Sequence, residues 1–323
     1  MKKLLTLIIA TFMLSACGST NSSEGSKSSA PTYDRSSLSV ITPTGAPALA
    51  FYRYSKNTNF ETNSDPSTGI LPLMVGGKKD VVVLPTNAGI QAIVNKKADY
   101  QIAATITFGN FYLLSMGNDA NNQLDAEDTI LLFQKGNVPD KIFHYVYGDT
   151  YDQNVHYVAA VSDAAAAANA GFFTDAESGE RVTPNYILLA QPVLTTVLSK
   201  NNAFGVYADL QQKYQEKSNG LALYQASIFI KKTVNKDTAN LFLDSLKEDI
   251  ETAIKAPDEF TTTLGSLDNA NTIYGIAPQV ATNVTKNNNG MGLGFKMAKE
   301  NKSAVENFLK LFNIEGLDEE IYY

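Results

Sequence analysis

The 323-residue chain contains one cysteine, Cys17, and two histidines, His144 and His156. A single cysteine excludes internal disulfides and any metal site built from several thiolates. The histidines stand twelve positions apart with no paired carboxylate spacing around them, which leaves no metal-binding pattern. Basic residues are in the minority, 26 Lys and Arg against 33 Asp and Glu, giving a formal charge of -7. With no basic cluster along the sequence, nucleic acid is excluded as a partner, and the dispersed acids read as a solvated surface. Long apolar runs are missing too. The longest, Leu4 to Leu14, falls well short of the roughly 20 residues a bilayer span needs. No G-x-S-x-G elbow and no Walker loop occurs, and nothing suggests a cofactor.

What is present begins at the amino terminus. Lys2 and Lys3 precede the apolar block, and Leu14-Ser15-Ala16-Cys17 closes it with small residues, the layout of a secretory signal. This segment resembles a bacterial lipobox. The resemblance implies cleavage before Cys17 and acylation, palmitate included, of its sulfur and new amino terminus. The mature protein is then expected outside the cytoplasm, held to the cell membrane by lipid, at a charge of -9 once Lys2 and Lys3 are removed from the -7 total. Residues 18–33, rich in Ser and Gly, read as a flexible tether. The remaining chain has length for about two domains, and 44% hydrophobic residues is ordinary globular composition.

Short β-rich runs alternate with helical stretches, which predicts an α/β fold with mostly parallel strands. Five strand-to-helix junctions stand out. Leu38 to Ile41 leads through Thr44-Gly45-Ala46 to a helix from Ala48, and Asp80 to Leu84 leads through Pro85-Thr86-Asn87 to a helix near Ile90. Thr129 to Phe133 leads through Gly136-Asn137 to a helix opened by Pro139, and Val155 to Val161 leads to an alanine-rich helix with Ser162 as N-cap and Gly171 as its end. Tyr186 to Ala190 leads through Gln191-Pro192 to a helix from Val193. In open parallel sheets such loops form the ligand crevice, where free backbone N–H groups at helix starts hold polar or anionic groups. Gly, Pro, Thr and Asn also simply make turns, and that reading stands beside the functional one.

Thr44-Gly45, Gly76 to Asn87, Gly109-Asn110-Phe111-Tyr112, Gly136 to Asp140 and Leu188 to Val193 occur in the order found in extracytoplasmic solute-binding proteins of ABC transporters. They are most similar to the branch that includes nitrate, sulfonate and thiamine-precursor binders. The resemblance covers about Leu38 to Phe260. It implies two α/β lobes of the type II periplasmic-binding fold joined by two hinge strands, with lobe I at 34–115 and 228–323 and lobe II at 116–227. It further implies a monomeric receptor that encloses a small solute, a heterocyclic vitamin precursor or a small anion, and delivers it to an ABC permease. Candidate contacts are Thr44, Gly45, Ala46, Pro85, Thr86, Asn87, Asn110, Gly136, Asn137 and Gln191, with Phe111, Tyr112 and Tyr224 as walls beside Phe108. Where many relatives carry Glu-Pro, this chain has Gln191-Pro192, so a neutral amide replaces a carboxylate. Residues 172–184 look longer than usual and read as a surface loop, and the tail beyond Asn269 is the least familiar part.

An enzyme would need a nucleophile, a base and a reason for shifted acidity, and the sequence offers none of these together. His144, two turns into a helix, and His156, at the start of a strand, have no partner that spacing can place. Two alternatives remain: a surface lipoprotein that binds a protein partner, and an exported relative of pyrimidine-precursor synthases of the same fold branch.

Overall fold

Continuous apolar strands determine the architecture. Val81 to Leu84 and Tyr186 to Leu189 are fully buried, and each such side chain contributes about 1.5–3 kcal/mol of burial. The computed structural model describes residues 33–117, 123–201 and 203–323. The signal segment, Cys17 and the tether up to residue 32 lie outside the described residues.

The chain runs β1 (Val40–Pro43), α1 (Ala46–Leu49), β2 (Phe60–Asn63), α2 (Leu71–Val75), β3 (Val81–Pro85), α3 (Thr86–Val94) and β4 (Tyr100–Thr107). It continues through β5 (Phe111–Ser115), β6 (Ile130–Phe133), α4 (Val138–Tyr147), β7 (Val155–Val158), α5 (Val161–Ala170), β8 (Phe173–Thr174) and β9 (Arg181–Val182). Next come β10 (Tyr186–Ala190), α6 (Val193–Lys200), β11 (Gly205–Asp209), α7 (Leu210–Lys217) and β12 (Ala226–Lys231). The last part is α8 (Lys236–Lys255), α9 (Asp258–Leu264), α10 (Ala270–Tyr274), α11 (Pro278–Lys286), β13 (Leu293–Met297) and α12 (Lys302–Leu309).

Two sheets result, in the orders β13-β4-β12-β3-β1-β2 and β11-β5-β10-β6-β7, which is the two-lobed α/β arrangement expected. The prediction of mostly parallel strands holds for only part of each. β2, β1 and β3 run parallel, as do β10, β6 and β7, while β4, β12 and β13 in one sheet and β5 and β11 in the other pair antiparallel. The cause is the double passage between sheets: β5 and β12, the strands laid down on arrival in each sheet, run against the βα units, and β11 and β4 meet them antiparallel. The first passage spans 108–110, because Phe111–Ser115 pairs with β10 and β11 and so belongs to the second sheet rather than to a first lobe extending to residue 115. The return passes through α7 and residues 218–225.

One face of the first sheet packs Val40, Val83 and Ile228 against Phe242, Phe260 and Tyr274. Its other face shares a cluster with the second sheet, Val82 and Phe229 with Phe111, Leu132 and Leu188. α5 and α6 cover the outer face of the second sheet. α8 shows why its sequence is helical. Buried Ala239, Phe242, Leu246, Ile250 and Ala253 recur at helical spacing, and Asn235 caps the first turn by accepting from the N–H groups of Asp237 and Thr238 at 2.9 and 3.1 Å. Buried Asp249 on the same helix accepts from Arg35 and Arg53, anchoring the chain that enters β1. The tail beyond Asn269 packs on the first sheet: α10 and α11 join the α8 face, and β13 pairs with β4.

Three local expectations change. The strand from Val155 stops at Val158 because α5 begins at Val161. Its N-cap is Ala160, whose N–H donates to Asp163 at 3.0 Å, so Ser162 lies inside the helix, while Gly171 does end it with φ 76°. Pro139 is the second helical residue of α4. Residues 172–184 carry the β8–β9 ladder.

Candidate functional site

The two passages between sheets meet at Asn110. Its side-chain amide donates to the carbonyl of Gln191 at 2.9 Å, and the Gln191 N–H donates back to the carbonyl of Asn110 at 2.9 Å. On the other side, Gln225 Nε2 donates to Asn110 Oδ1 at 3.3 Å, and the Gln225 carbonyl accepts from the Thr86 N–H at 3.0 Å. The chain Thr86–Gln225–Asn110–Gln191 therefore joins the carboxyl end of β3 in one sheet to that of β10 in the other. Of the candidate contacts named from the sequence, the fold brings Thr86, Asn110 and Gln191 together here; Gln225, beside Tyr224, was not among them.

Three buried polar atoms in this neighbourhood have no hydrogen-bond partner: Asn87 Oδ1, Thr107 Oγ1 and Gln225 Oε1. The Gln225 N–H donates to the Thr107 carbonyl at 3.1 Å, and Asn87 follows Thr86, so all three belong to the same joint. A buried polar atom left without a partner costs about 1–3 kcal/mol, which a solute donating N–H or O–H groups would recover. Behind them, the fully buried hydroxyls of Thr86, Ser227 and Thr105 form a chain with two 2.7 Å contacts.

The backbone groups expected to be free are mostly engaged. The N–H of Gly45 donates to the Tyr274 carbonyl at 2.7 Å, that of Gly136 to the Asp140 carboxylate at 2.7 Å, and that of Asn137 to the Gln134 carbonyl at 3.0 Å. The tail residue Tyr274 and the helix residue Asp140 supply acceptors that junction spacing does not show. Gly45 and Gly136 take φ of 88° and 79°, so glycine serves the turn at both positions. Thr44 and Pro85 are half-buried, Ala46 is buried, and Asn137 is exposed with its side chain free of any capping bond. Gln191 Oε1 accepts from the Thr195 hydroxyl at 2.8 Å.

The proposed aromatic walls separate. Phe111 packs with Phe133 at 6.2 Å between ring centres on the face shared by both sheets, whereas Tyr112 joins the outer cluster under α5 and α6. Successive residues on a strand point to opposite faces, so the two cannot line one wall. Tyr224 is buried and meets Phe108 edge-to-face at 5.4 Å. Lys296 of β13, a cation that junction reading missed, lies 5.5 and 5.8 Å from the centres of these two rings.

Asp140 holds the 134–137 loop. Burial opposes its ionisation, but hydrogen bonds from His144, the Gly136 N–H and the Tyr157 hydroxyl outweigh it, and the carboxyl titrates below its ordinary range. The bond to Asp140 raises His144 to about 9. A raised histidine stabilises the fold fully below its unfolded value near 6.5 and loses that contribution as pH climbs through about 9. The melting temperature is expected to fall between those values, and His144→Gln is expected to flatten that decline in a pH series of thermal melts. Equal slopes in both proteins would show that the pair contributes nothing. His156 bonds Asp175 at 2.7 Å at the start of the 172–184 excursion. No group of three or more His, Cys, Asp and Glu able to hold a metal occurs among the described residues.

No family model and no curated protein sequence matches the chain. Solved structures do. An ABC transporter protein from Parabacteroides distasonis superposes with a TM-score of 0.65 at 21% identity, covering 85% of this chain and 91% of that one. The periplasmic aliphatic sulphonate binding protein SsuA from Escherichia coli gives 0.62 at 12% identity, with 85% of each chain covered. A Candida albicans protein described as having the generic periplasmic binding protein fold gives 0.55 at 11% identity, covering 88% and 92%. The chain shares the fold of these proteins.

Proposed function

We propose that this protein is an extracytoplasmic solute-binding receptor that captures a small molecule between its two lobes and passes it to an ABC permease, without catalysis and without a cofactor. The observation that carries this reading is the Asn110 joint, where strand ends of both sheets converge on three buried polar atoms lacking partners. The lobes divide at 108–110 and 218–225, and the protein acts as a monomer held to the cell membrane by lipid on Cys17. The fold shared with ABC transporter binding proteins supports the same role.

The ligand is a small uncharged heterocycle whose N–H or O–H groups meet Asn87 Oδ1 and Gln225 Oε1, with Phe108 and Tyr224 offering ring faces. A second reading, a small anion, is favoured by Lys296 beside those rings and by the sulphonate binder among the similar structures.

A thermal-shift screen of the protein lacking residues 1–17 against heterocycles, amino acids, sulfonates and inorganic anions tests the proposal. A true ligand at 100 times its dissociation constant adds about 2.7 kcal/mol of stability. A response confined to heterocycles supports the first ligand class, and one confined to sulfonates or inorganic anions the second. No response across the panel counts against solute capture and favours a lipoprotein that binds a protein partner. The anchor has its own check: the intact mass of the mature protein should correspond to a chain that begins at Cys17 and carries acyl groups.

A further inference from the structure

We propose that the end of the first sheet opposite the Asn110 joint is a docking surface for an anionic phospholipid bilayer. Apart from Lys2-Lys3, the chain contains three Lys-Lys pairs, at 78–79, 96–97 and 231–232. They are separated in sequence by up to 152 positions, since 231 minus 79 is 152, yet the fold brings all three to one end of the sheet, where β12 pairs with β3 and Lys96, Lys97, Lys231 and Lys232 line one cavity. Lys78-Lys79 precedes β3, Lys96-Lys97 follows α3, and Lys231-Lys232 ends β12. A surface cavity of about 440 Å³ lies between the second and third pairs and the Gly76-Gly77 turn that precedes the first, with Lys96, Lys97, Asp99, Lys231 and Lys232 in its lining.

Part of this charge is already engaged: Lys79 pairs with Glu61, Lys232 lies 3.8 Å from Asp99, and Lys231 Nζ donates to the Gly77 carbonyl at 2.9 Å. Lys78, Lys96 and Lys97 are exposed and have no ion pair within 4 Å among the described residues. Lysines after α2 and α3 complement the negative ends of those helices, but that role does not account for the valines beside them. Val75 and Val94, ending the same two helices, are 44% and 46% exposed, two of only four large hydrophobic side chains so open among the described residues.

Lysine heads with apolar side chains at their level match the boundary between headgroups and acyl chains, whereas a dissolved anion would make no use of the valines. Charge complementarity is local: on a chain of formal charge -7, this patch offers an anionic membrane a concentrated positive face. The covalent path leads to the same end. The chain enters β1 here, where Asn59 Nδ2 donates to the Ser36 carbonyl at 2.7 Å and the Ser39 N–H donates to Asp80 at 2.9 Å, and 32 residues precede Tyr33. β3 places the patch about 17 Å from the Pro85–Asn87 loop at 3.3 Å per residue, so a docked molecule keeps the Asn110 joint off the bilayer.

The test uses the protein lacking residues 1–17, whose folded unit begins at Tyr33, in co-sedimentation with vesicles of phosphatidylcholine alone or mixed with phosphatidylglycerol. Binding is expected only to the mixed vesicles and should weaken with added salt. At about five-fold per lysine, the triple variant Lys78→Glu, Lys96→Glu, Lys97→Glu should bind roughly a hundred-fold more weakly or worse. A control triple, Lys200→Glu, Lys247→Glu, Lys310→Glu, carries the same net charge and should keep most of the binding. Should the first triple melt early, Lys→Gln at the same three positions carries the test. Failure to sediment with mixed vesicles, or equal loss in both triples, overturns the proposal. So does suppression of vesicle binding by inorganic phosphate beyond that of chloride at equal ionic strength, because the cavity would then serve a dissolved anion. None of these outcomes depends on solute capture, which the screen judges separately.

Discussion

Gly292→Ala is expected to lower stability by about 3 kcal/mol, the sum of a left-handed backbone penalty and overpacking, and melting by roughly 10 °C. Gly292 has φ 64°, and a Cβ there would lie 2.0 Å from the carbonyl oxygen of Gly109. That oxygen is backbone and belongs to the first passage between sheets, where the Phe108 N–H also donates to the Gly292 carbonyl at 2.8 Å. Relief would require β13 to move off β4. Gly136→Ala isolates the conformational part, since Gly136 has φ 79° and a methyl group there would meet nothing within 4 Å; it should cost about 1–2 kcal/mol. Equal melting of the two variants would show that β13 yields to the methyl group at no cost.

Asn110→Ala is expected to weaken binding of the solute found in the screen by about ten- to a hundred-fold, or about 1.4–2.8 kcal/mol. It removes the donor to the Gln191 carbonyl and the acceptor for Gln225 Nε2, leaving both groups without those partners and releasing the Gln225 side chain whose oxygen belongs to the joint. Stability should fall as well, by about 1–3 kcal/mol. Asn110→Asp separates the two effects, because a carboxylate still accepts from Gln225 but cannot donate to Gln191. Calorimetric titration alongside thermal melts reads both. Lower melting with unchanged affinity would make Asn110 a strut between lobes and remove it from the binding site.

The sequence made the βα units legible where a strand is buried on both faces. Val81 to Leu84 and Tyr186 to Leu189 are unbroken apolar runs, and the turn residues after them mark the correct ends. β13 escaped notice because Leu293–Met297 contains Gly294 and exposed Lys296, and it pairs through the close approach of Gly292 to Gly109. At the candidate site, residue types were read more reliably than the state of their hydrogen bonds. Gly45 and Gly136 occupy the expected turns, but acceptors from Tyr274 and Asp140, remote in sequence or on the next helix turn, take up their N–H groups. Tyr112 could have been separated from Phe111 by strand alternation alone. Gln225 and Thr107 carried no signal in the junction pattern, since Thr107 ends β4 and Gln225 lies in the return passage just before β12, outside the strand-to-helix junctions.

The hydroxyl row Thr86–Ser227–Thr105 has one further property. Each hydroxyl has a single proton and two lone pairs, and in both 2.7 Å contacts either oxygen can be the donor. The three protons can therefore point along the row in one direction or reverse together, by rotation about C–O bonds with every heavy atom in place. In one arrangement Thr86 gives its proton to Ser227; in the other it receives one and keeps its own for a different acceptor. The joint can thus change its polarity beside Asn87 without repacking, so that one rigid scaffold can present Thr86 either as a donor or as an acceptor toward its surroundings.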